Sequence, residues 1–264
     1  MQPINESLND FSFWFPKIEN CGIPVPPTFF RKLPMSDDEK TQRLLQAFYM
    51  DHPDEDEQVI RNWVQEEIVP ELKKDNRLGG MMFVKNGRFS NKFDANRACI
   101  IYGPYKLHEA IQNINYEALC CGAGGIDEIV IRHFITYDRQ NTPCIYNGLP
   151  LRPEFRVFYD FDDRTPIFTA NYWDYDYVYP HLYEATDKIV FEHERECIES
   201  VFNAHKEQVE KMVAHAMAKV KGLHGQWSVD ILLDERGTFW LIDMAVAQRS
   251  AYWEQRPNKE LYPE

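Results

Sequence analysis

Cysteine is sparse and unpatterned in this chain of 264 residues. There are six, Cys120 and Cys121 are adjacent, and no CxxC pair or Cys/His metal spacing occurs. This argues against a disulfide framework or a structural zinc site and points to reduced thiols, hence to cytoplasm. Long apolar runs are missing as well: none approaches the about 20 residues that a membrane helix needs. Met1-Gln-Pro-Ile-Asn-Glu-Ser7 lacks the basic-then-apolar signature of a signal peptide, so the match of Asn5-Glu-Ser7 to a glycosylation sequon reads as chance. Positive charge is the scarcer sign, with 29 Lys and Arg against 42 Asp and Glu and a net charge of -13. That balance disfavours a nonspecific grip on nucleic acid or anionic membrane, although it leaves room for a local basic groove. The one dense glycine cluster, Cys121-Gly-Ala-Gly-Gly125, stands between a helix and a strand. A phosphate loop runs the other way, from strand into helix, so this cluster reads as a helix C-cap and turn. Repeats and low-complexity segments are also lacking. What is present is 44% hydrophobic and 14% aromatic, a globular composition able to bury the core of one large or two modest domains.

The chain opens with an aromatic cluster, Phe11, Phe13, Trp14 and Phe15. Gly22-Ile-Pro-Val-Pro-Pro-Thr28 follows, too rich in proline for a helix or a central strand and expected as an extended edge segment. Helices are expected over 36–50, with Ser36 as N-cap, and over about 56–74. Between them lies the charged loop Asp51-His-Pro-Asp-Glu-Asp-Glu57. Strands are expected at 81–85, 98–102, 128–135 and 154–160, and helices at 105–120 and roughly 192–221. An aromatic-acidic loop covers 171–180, and the tail after 250 reads as a packed loop. The order is α+β rather than a regular βαβ alternation.

The richest stretch is Trp227-Ser-Val-Asp-Ile-Leu-Leu-Asp-Glu-Arg-Gly-Thr-Phe-Trp-Leu-Ile-Asp243. Asp234-Glu-Arg-Gly237 supplies a turn signal between two strand-like flanks. If Leu233 pairs with Thr238, Asp230 sits opposite Leu241. Asp230 and Asp243 then lie diagonally on one face with Ser228, Leu232, Phe239 and Leu241. At about 5 Å and an effective dielectric of about 20, two carboxylates repel by roughly 3 kcal/mol. A bound Mg²⁺ removes that cost; so does a neighbouring Lys or Arg. A one-residue slip of register would separate the acids.

Cations complete the pattern. Lys85 ends an apolar strand, Lys92 follows in Asn86-Gly-Arg-Phe-Ser-Asn-Lys92, and Arg132 and Arg156 lie inside apolar strands. Each could be one half of a structural ion pair. Taken together, cations on separate elements and a two-acid hairpin suit a nucleoside triphosphate held with Mg²⁺. In order along the chain, Trp14-Phe-Pro-Lys17 with Gly22–Thr28, Phe83-Val-Lys85 with Ser90-Asn-Lys-Phe-Asp94, Val130-Ile-Arg-His-Phe134, Glu154-Phe-Arg-Val-Phe158 and Trp227–Asp243 resemble the motifs of the ATP-grasp superfamily. They are most similar to those of the branch that holds the cell-division-cycle assembly factor of translation initiation factor two and its phage and bacterial relatives.

The resemblance implies an ATP-grasp fold, two α+β subdomains gripping a nucleotide. It implies an N-terminal helical and extended lobe over 1–75, a nucleotide-binding subdomain over 76–135 and a C-terminal subdomain over 136–264. It also implies an ATP- and Mg²⁺-dependent ligase that joins a carboxylate to an amine or another nucleophile through an acylphosphate, releasing ADP. Lys85 and Lys92 would hold phosphates, and Arg132, His133 and Phe134 would line the nucleotide. Arg156 and Lys92 would act on the transferring phosphoryl group, and Asp230 and Asp243 would take the metal. Tyr172, Trp173, Asp174, Tyr175 and Asp176 would line the acceptor site; the alternative is a surface loop packing its own rings. Two departures stand out. The family's metal-binding Asn is replaced in Asp243-Met-Ala245, with Gln248 or water as substitutes, and the hinge reads Arg132-His133 where Arg-Glu is usual. The missing Asn favours a second reading, an assembly factor that binds ATP and a protein partner without ligation. A covalent nucleotidyltransferase such as an RNA ligase is a weaker alternative, because Lys85-Asn-Gly-Arg88 lacks the aspartate of that class. A purely structural member would bind no nucleotide.

Overall fold

The structure, a computed structural model, describes residues 6–49, 52–125 and 127–262. Asn5 of the sequon-like tripeptide, the expected helix end at Met50 and Asp51 of the charged loop lie outside them. The chain forms two compact units: 26–136 with 146–149, and 1–25 with 137–145 and 150–264. The expected lobe over 1–75 is therefore divided. Its first part belongs with the C-terminal sheet, where the Val246 N–H donates to Asn9 Oδ1 at 2.7 Å and the Leu241 N–H donates to the Pro24 carbonyl at 2.9 Å. The helix Phe11–Ile18 goes with that first part, whereas Glu39–Ala47 and Pro53–Trp63 belong with the first sheet.

The first unit is built on four antiparallel strands: β1 (Thr28–Lys32), β2 (Met81–Asn86), β3 (Ile100–Tyr102) and β4 (Glu128–His133), in the order β1-β4-β2-β3. The helix Leu107–Cys120 packs on β2, and the helix Pro53–Trp63 packs on that helix. The proline at the first turn of Pro53–Trp63 starts the helix, since its missing N–H has no partner there to lose. The preceding helix, Glu39–Ala47, is capped by Asp38, which accepts from the Thr41 N–H at 3.0 Å. Ser36, the expected cap, accepts instead from the Asp38 N–H.

Leu107–Cys120 ends as its glycines require. Gly122 takes φ 70°, its N–H donates to the Leu119 carbonyl, and the Ala123 N–H donates to the Ala118 carbonyl at 2.8 Å. This is a Schellman C-cap, not a phosphate loop.

The second unit holds β5 (Glu154–Asp160), β6 (Thr165–Asn171), β7 (Gln226–Leu233) and β8 (Phe239–Val246), antiparallel in the order β8-β7-β5-β6. Phe155, Val157, Val229, Ile231 and Leu241 are fully buried on one face. There the long helix Ala185–Met217 packs, with Phe202 stacked 5.5 Å from Phe155. The other face carries the charges.

Candidate functional site

The hairpin register differs from the expected one, and the difference brings the acids closer. Leu233 pairs with Phe239, Leu232 with Trp240 and Leu241 with Ile231; beyond these, Asp243 pairs with Asp230 and Ala245 with Ser228. The first pairs are one residue out of the expected register. Ile242 is then the extra residue of a β-bulge, which shifts the phase once more. Asp230 and Asp243 thus stand directly opposite each other rather than diagonally. Phe239 and Leu241, expected beside them, turn to the core face instead. Alternation alone cannot foresee this, because a bulge leaves Leu241 and Asp243 two apart in sequence but on opposite faces.

On the neighbouring strand Arg156 pairs in register with Asp230. Its Nε and Nη2 donate to the two carboxylate oxygens of Asp230 at 2.8 and 2.7 Å, a fork-to-fork ion pair. Asp230 is buried and Arg156 largely so, their side chains 4% and 12% exposed. Burial alone would lower the Arg156 guanidinium; the Asp230 charge and its hydrogen bonds outweigh that and hold it above its ordinary value. The cation that relieves the carboxylate repulsion is therefore Arg156. Tyr172 joins the same face, its ring centroid 4.9 Å from the guanidinium carbon.

The rest of the aromatic-acidic loop turns elsewhere. Trp173 Nε1 donates to the Arg152 carbonyl, and Asp174 caps a short helix, Tyr175–Val178, by accepting from the Tyr177 N–H. Trp173, Asp174 and Asp176 line a groove of about 200 Å³ with Arg195 and Glu199 of the long helix. The loop thus sends only Tyr172 toward Arg156.

In the other unit, Phe83 pairs with Arg132 and Lys85 with Val130, which puts Lys85 and Arg132 on one face of the sheet. Both are buried, and Arg132 Nε donates to Thr28 Oγ1 at 3.1 Å. His133 pairs with Met82 and points to the opposite face. Phe134 is buried just past the strand, and Lys92 lies on a 3-10 turn, Lys92–Asp94. Glu128 was not foreseen. It is 1% exposed, two residues from Val130 on the Lys85 face. Gly87 fits against it so closely that a Cβ there would collide with Glu128 Oε1. A buried acid opening an apolar strand was the sequence signal for it. Glu154, likewise a buried acid opening an apolar strand, was missed as well, and so was the buried Arg152 just before it.

Neither a protein-family model nor a curated protein sequence matches this chain. Among solved structures it is similar to Cdc123 from Schizosaccharomyces pombe, at 13% identity over 98% of this chain and 94% of that one, with a TM-score of 0.48. It is similar also to the biotin carboxylase domain of Hydrogenobacter thermophilus 2-oxoglutarate carboxylase, at 10% identity over 91% of this chain and 40% of that one, with a TM-score of 0.46. A third is the D-alanine–D-alanine ligase of Bacillus anthracis complexed with ATP, at 13% identity over 90% and 53%, with a TM-score of 0.39. The chain spans about half or less of the length of these last two.

The donor set sets limits on a metal. Among the described residues no group of three or more His, Cys, Asp or Glu side chains is placed to hold an ion. Gln248, the candidate substitute ligand, donates to Gln226 at 3.3 Å. Ala245, paired with Ser228, shares the face of Asp230 and Asp243 but brings no side-chain oxygen. Two carboxylates are too few for a cage of protein ligands. They suit a Mg²⁺ that arrives on phosphate oxygens and keeps its own waters.

Proposed function

We propose that this chain is an ATP-grasp protein that binds Mg-ATP and passes the γ-phosphoryl group to a carboxylate, releasing ADP and giving an acylphosphate, which an amine or another nucleophile then captures with release of inorganic phosphate. The observation that supports this most is the Arg156–Asp230 fork set directly opposite Asp243 on one face of the sheet. The ordered sequence motifs support it too. In the second unit Arg156 meets the transferring phosphoryl oxygens, already oriented by Asp230, while Asp230 and Asp243 provide the oxygens for a metal. Mg²⁺ bound with ATP supplies neutralisation of phosphate charge. In the first unit Lys85 and Lys92 hold phosphate oxygens, and Arg132 and Phe134 line the nucleotide, while His133 faces away from Lys85. The protein positions and stabilises charge and forms no covalent bond itself.

A second reading is favoured by one observation: Ala245 supplies no oxygen where a third ligand would stand. On that reading the chain binds ATP and assembles a protein partner without ligation. Release of ADP, measured with and without carboxylate and amine acceptors, separates the two. Acceptor-dependent release supports ligation. Nucleotide binding with no release under any acceptor supports the assembly role, and absence of binding at millimolar Mg-ATP overturns both.

A further inference from the structure

The chain leaves the Arg156 face through a residue in an unusual conformation. Tyr252 has φ 73° and ψ -5°, the left-handed region, and is 4% exposed. A side chain there costs on the order of 1–2 kcal/mol, and a buried tyrosine holds that shape only where its surroundings fix it. Two contacts fix it. Its hydroxyl donates to the Tyr172 carbonyl at 2.6 Å, and its ring lies 4.4 Å from that of Tyr177. The residue before it, Ala251, turns its carbonyl to Arg156 Nη1 at 3.4 Å.

We infer that Tyr252 is a positioning residue for Arg156. Through its hydroxyl it fixes the turn that lays the Tyr172 ring against the guanidinium, and through its backbone it presents the Ala251 carbonyl, so that Asp230 holds one edge of Arg156 and Tyr252 governs the rest. Burial pushes the Tyr252 phenol up, with the neighbouring Tyr172 adding to the effect, so the hydroxyl stays a donor throughout the neutral range. The use of this arrangement for phosphate rests on the function proposed above; the positioning itself does not.

The test reads Arg156 directly, as its Nε–H signal in nitrogen-15 spectra, assigned by its loss in Arg156→Lys. Tyr252→Phe removes only the hydroxyl and should speed solvent exchange of that Nε–H by about tenfold, the equivalent of one hydrogen bond. Tyr172→Leu, which removes the ring and spares the carbonyl, should loosen it likewise. Backbone amides of the long helix Ala185–Met217 should be unchanged in both. Unaltered Nε–H exchange in Tyr252→Phe overturns the inference, and so does an equal loosening of the helix amides, which would make Tyr252 a general packing residue. A parallel Mg-ATP titration tells the two proposals apart. If the wild type fails to respond, the functional reading fails while the exchange data still decide the role of Tyr252. If the wild type responds, Tyr252→Phe should bind Mg-ATP about tenfold more weakly, and identical affinity overturns the link to phosphate.

Discussion

Asp230 gives both carboxylate oxygens to Arg156, so removing either residue leaves a buried opposite charge behind. Arg156→Ala and Asp230→Ala should each lower stability to denaturant by about 3–5 kcal/mol. The double variant Arg156→Met, Asp230→Leu should recover most of it, because a matched apolar pair leaves no charge stranded. A reading of two bare, repelling acids gives the opposite sign for loss of Asp230, relief rather than cost; the guanidinium reverses it. Stability gained on losing Asp230 alone would show that the pair does not persist in solution. Ala245 offers a cleaner probe of metal binding, since it stands on the right face and takes part in no side-chain bond. Ala245→Asn should lower the Mg²⁺ concentration that half-saturates the ATP response, by roughly tenfold for one added oxygen ligand of about 1.4 kcal/mol. An unchanged titration would remove Ala245 from any metal's surroundings.

At the level of elements, the bulge at Ile242 lets one strand serve two faces. Leu241 enters the core with no exposure, while Asp243, two residues on, faces Asp230. Deleting Ile242 should leave both in place, because ordinary alternation then puts Leu241 and its new neighbour Asp243 on opposite faces. The deletion should be well tolerated in thermal melts, unlike Leu241→Ala, which should cost about 2–5 kcal/mol. Gly122 tests the cap of the helix Leu107–Cys120. A Cβ there meets nothing within 4 Å, so Gly122→Ala incurs only the left-handed backbone cost of about 1 kcal/mol. Stability should drop by that amount with the ATP response intact; a lost ATP response would return the glycines to phosphate binding. Asp38 makes the cap of Glu39–Ala47 sensitive to acid. The Ser36 hydroxyl and the Thr41 N–H hold its carboxylate down to about 2, below the unfolded value of 3.8. Because the folded value is the lower one, the stabilisation is present above about 3.8 and lost as pH falls through about 2. Carbon-13 shifts of residues 39–42 should therefore report fraying near pH 2, and in Asp38→Asn that step should vanish.

Across the whole molecule, ligand linkage is the broadest check. At a hundredfold excess over Kd, a ligand bound only by the folded state adds about 2.7 kcal/mol, a rise in Tm on the order of 5–10 °C for a chain of this size. Mg-ATP should produce such a shift, and its absence at millimolar concentration would count against nucleotide binding altogether.

Much of the architecture was legible from local signals. Proline-rich edges, capping residues, apolar strands and the Asp234–Gly237 turn all act within a few residues, and the strands carrying Lys85, Arg132, Arg156, Asp230 and Asp243 form where expected. What escaped was set by tertiary context. No periodicity announces the bulge at Ile242. Arg156 and Asp230 are 74 residues apart in sequence, and nothing local marks them as partners. Tyr252 lies in a tail whose polar composition conceals a buried, left-handed turn.

The division of the first 75 residues has a consequence for synthesis. Residues 26–136, with 146–149, make up the first unit, so all of it is synthesised before the strands 226–246 of the second sheet. The second unit cannot close so early. Asn9 waits for Val246, 237 residues later, before its side chain meets its partner. At about 5–20 residues per second that interval is on the order of 10–50 s. Throughout it Phe11, Trp14 and Phe15, all buried in the finished protein, have no sheet to cover them. The segment Phe11–Phe15 is therefore a part of the nascent protein in need of a chaperone's protection, and is late to reach its place.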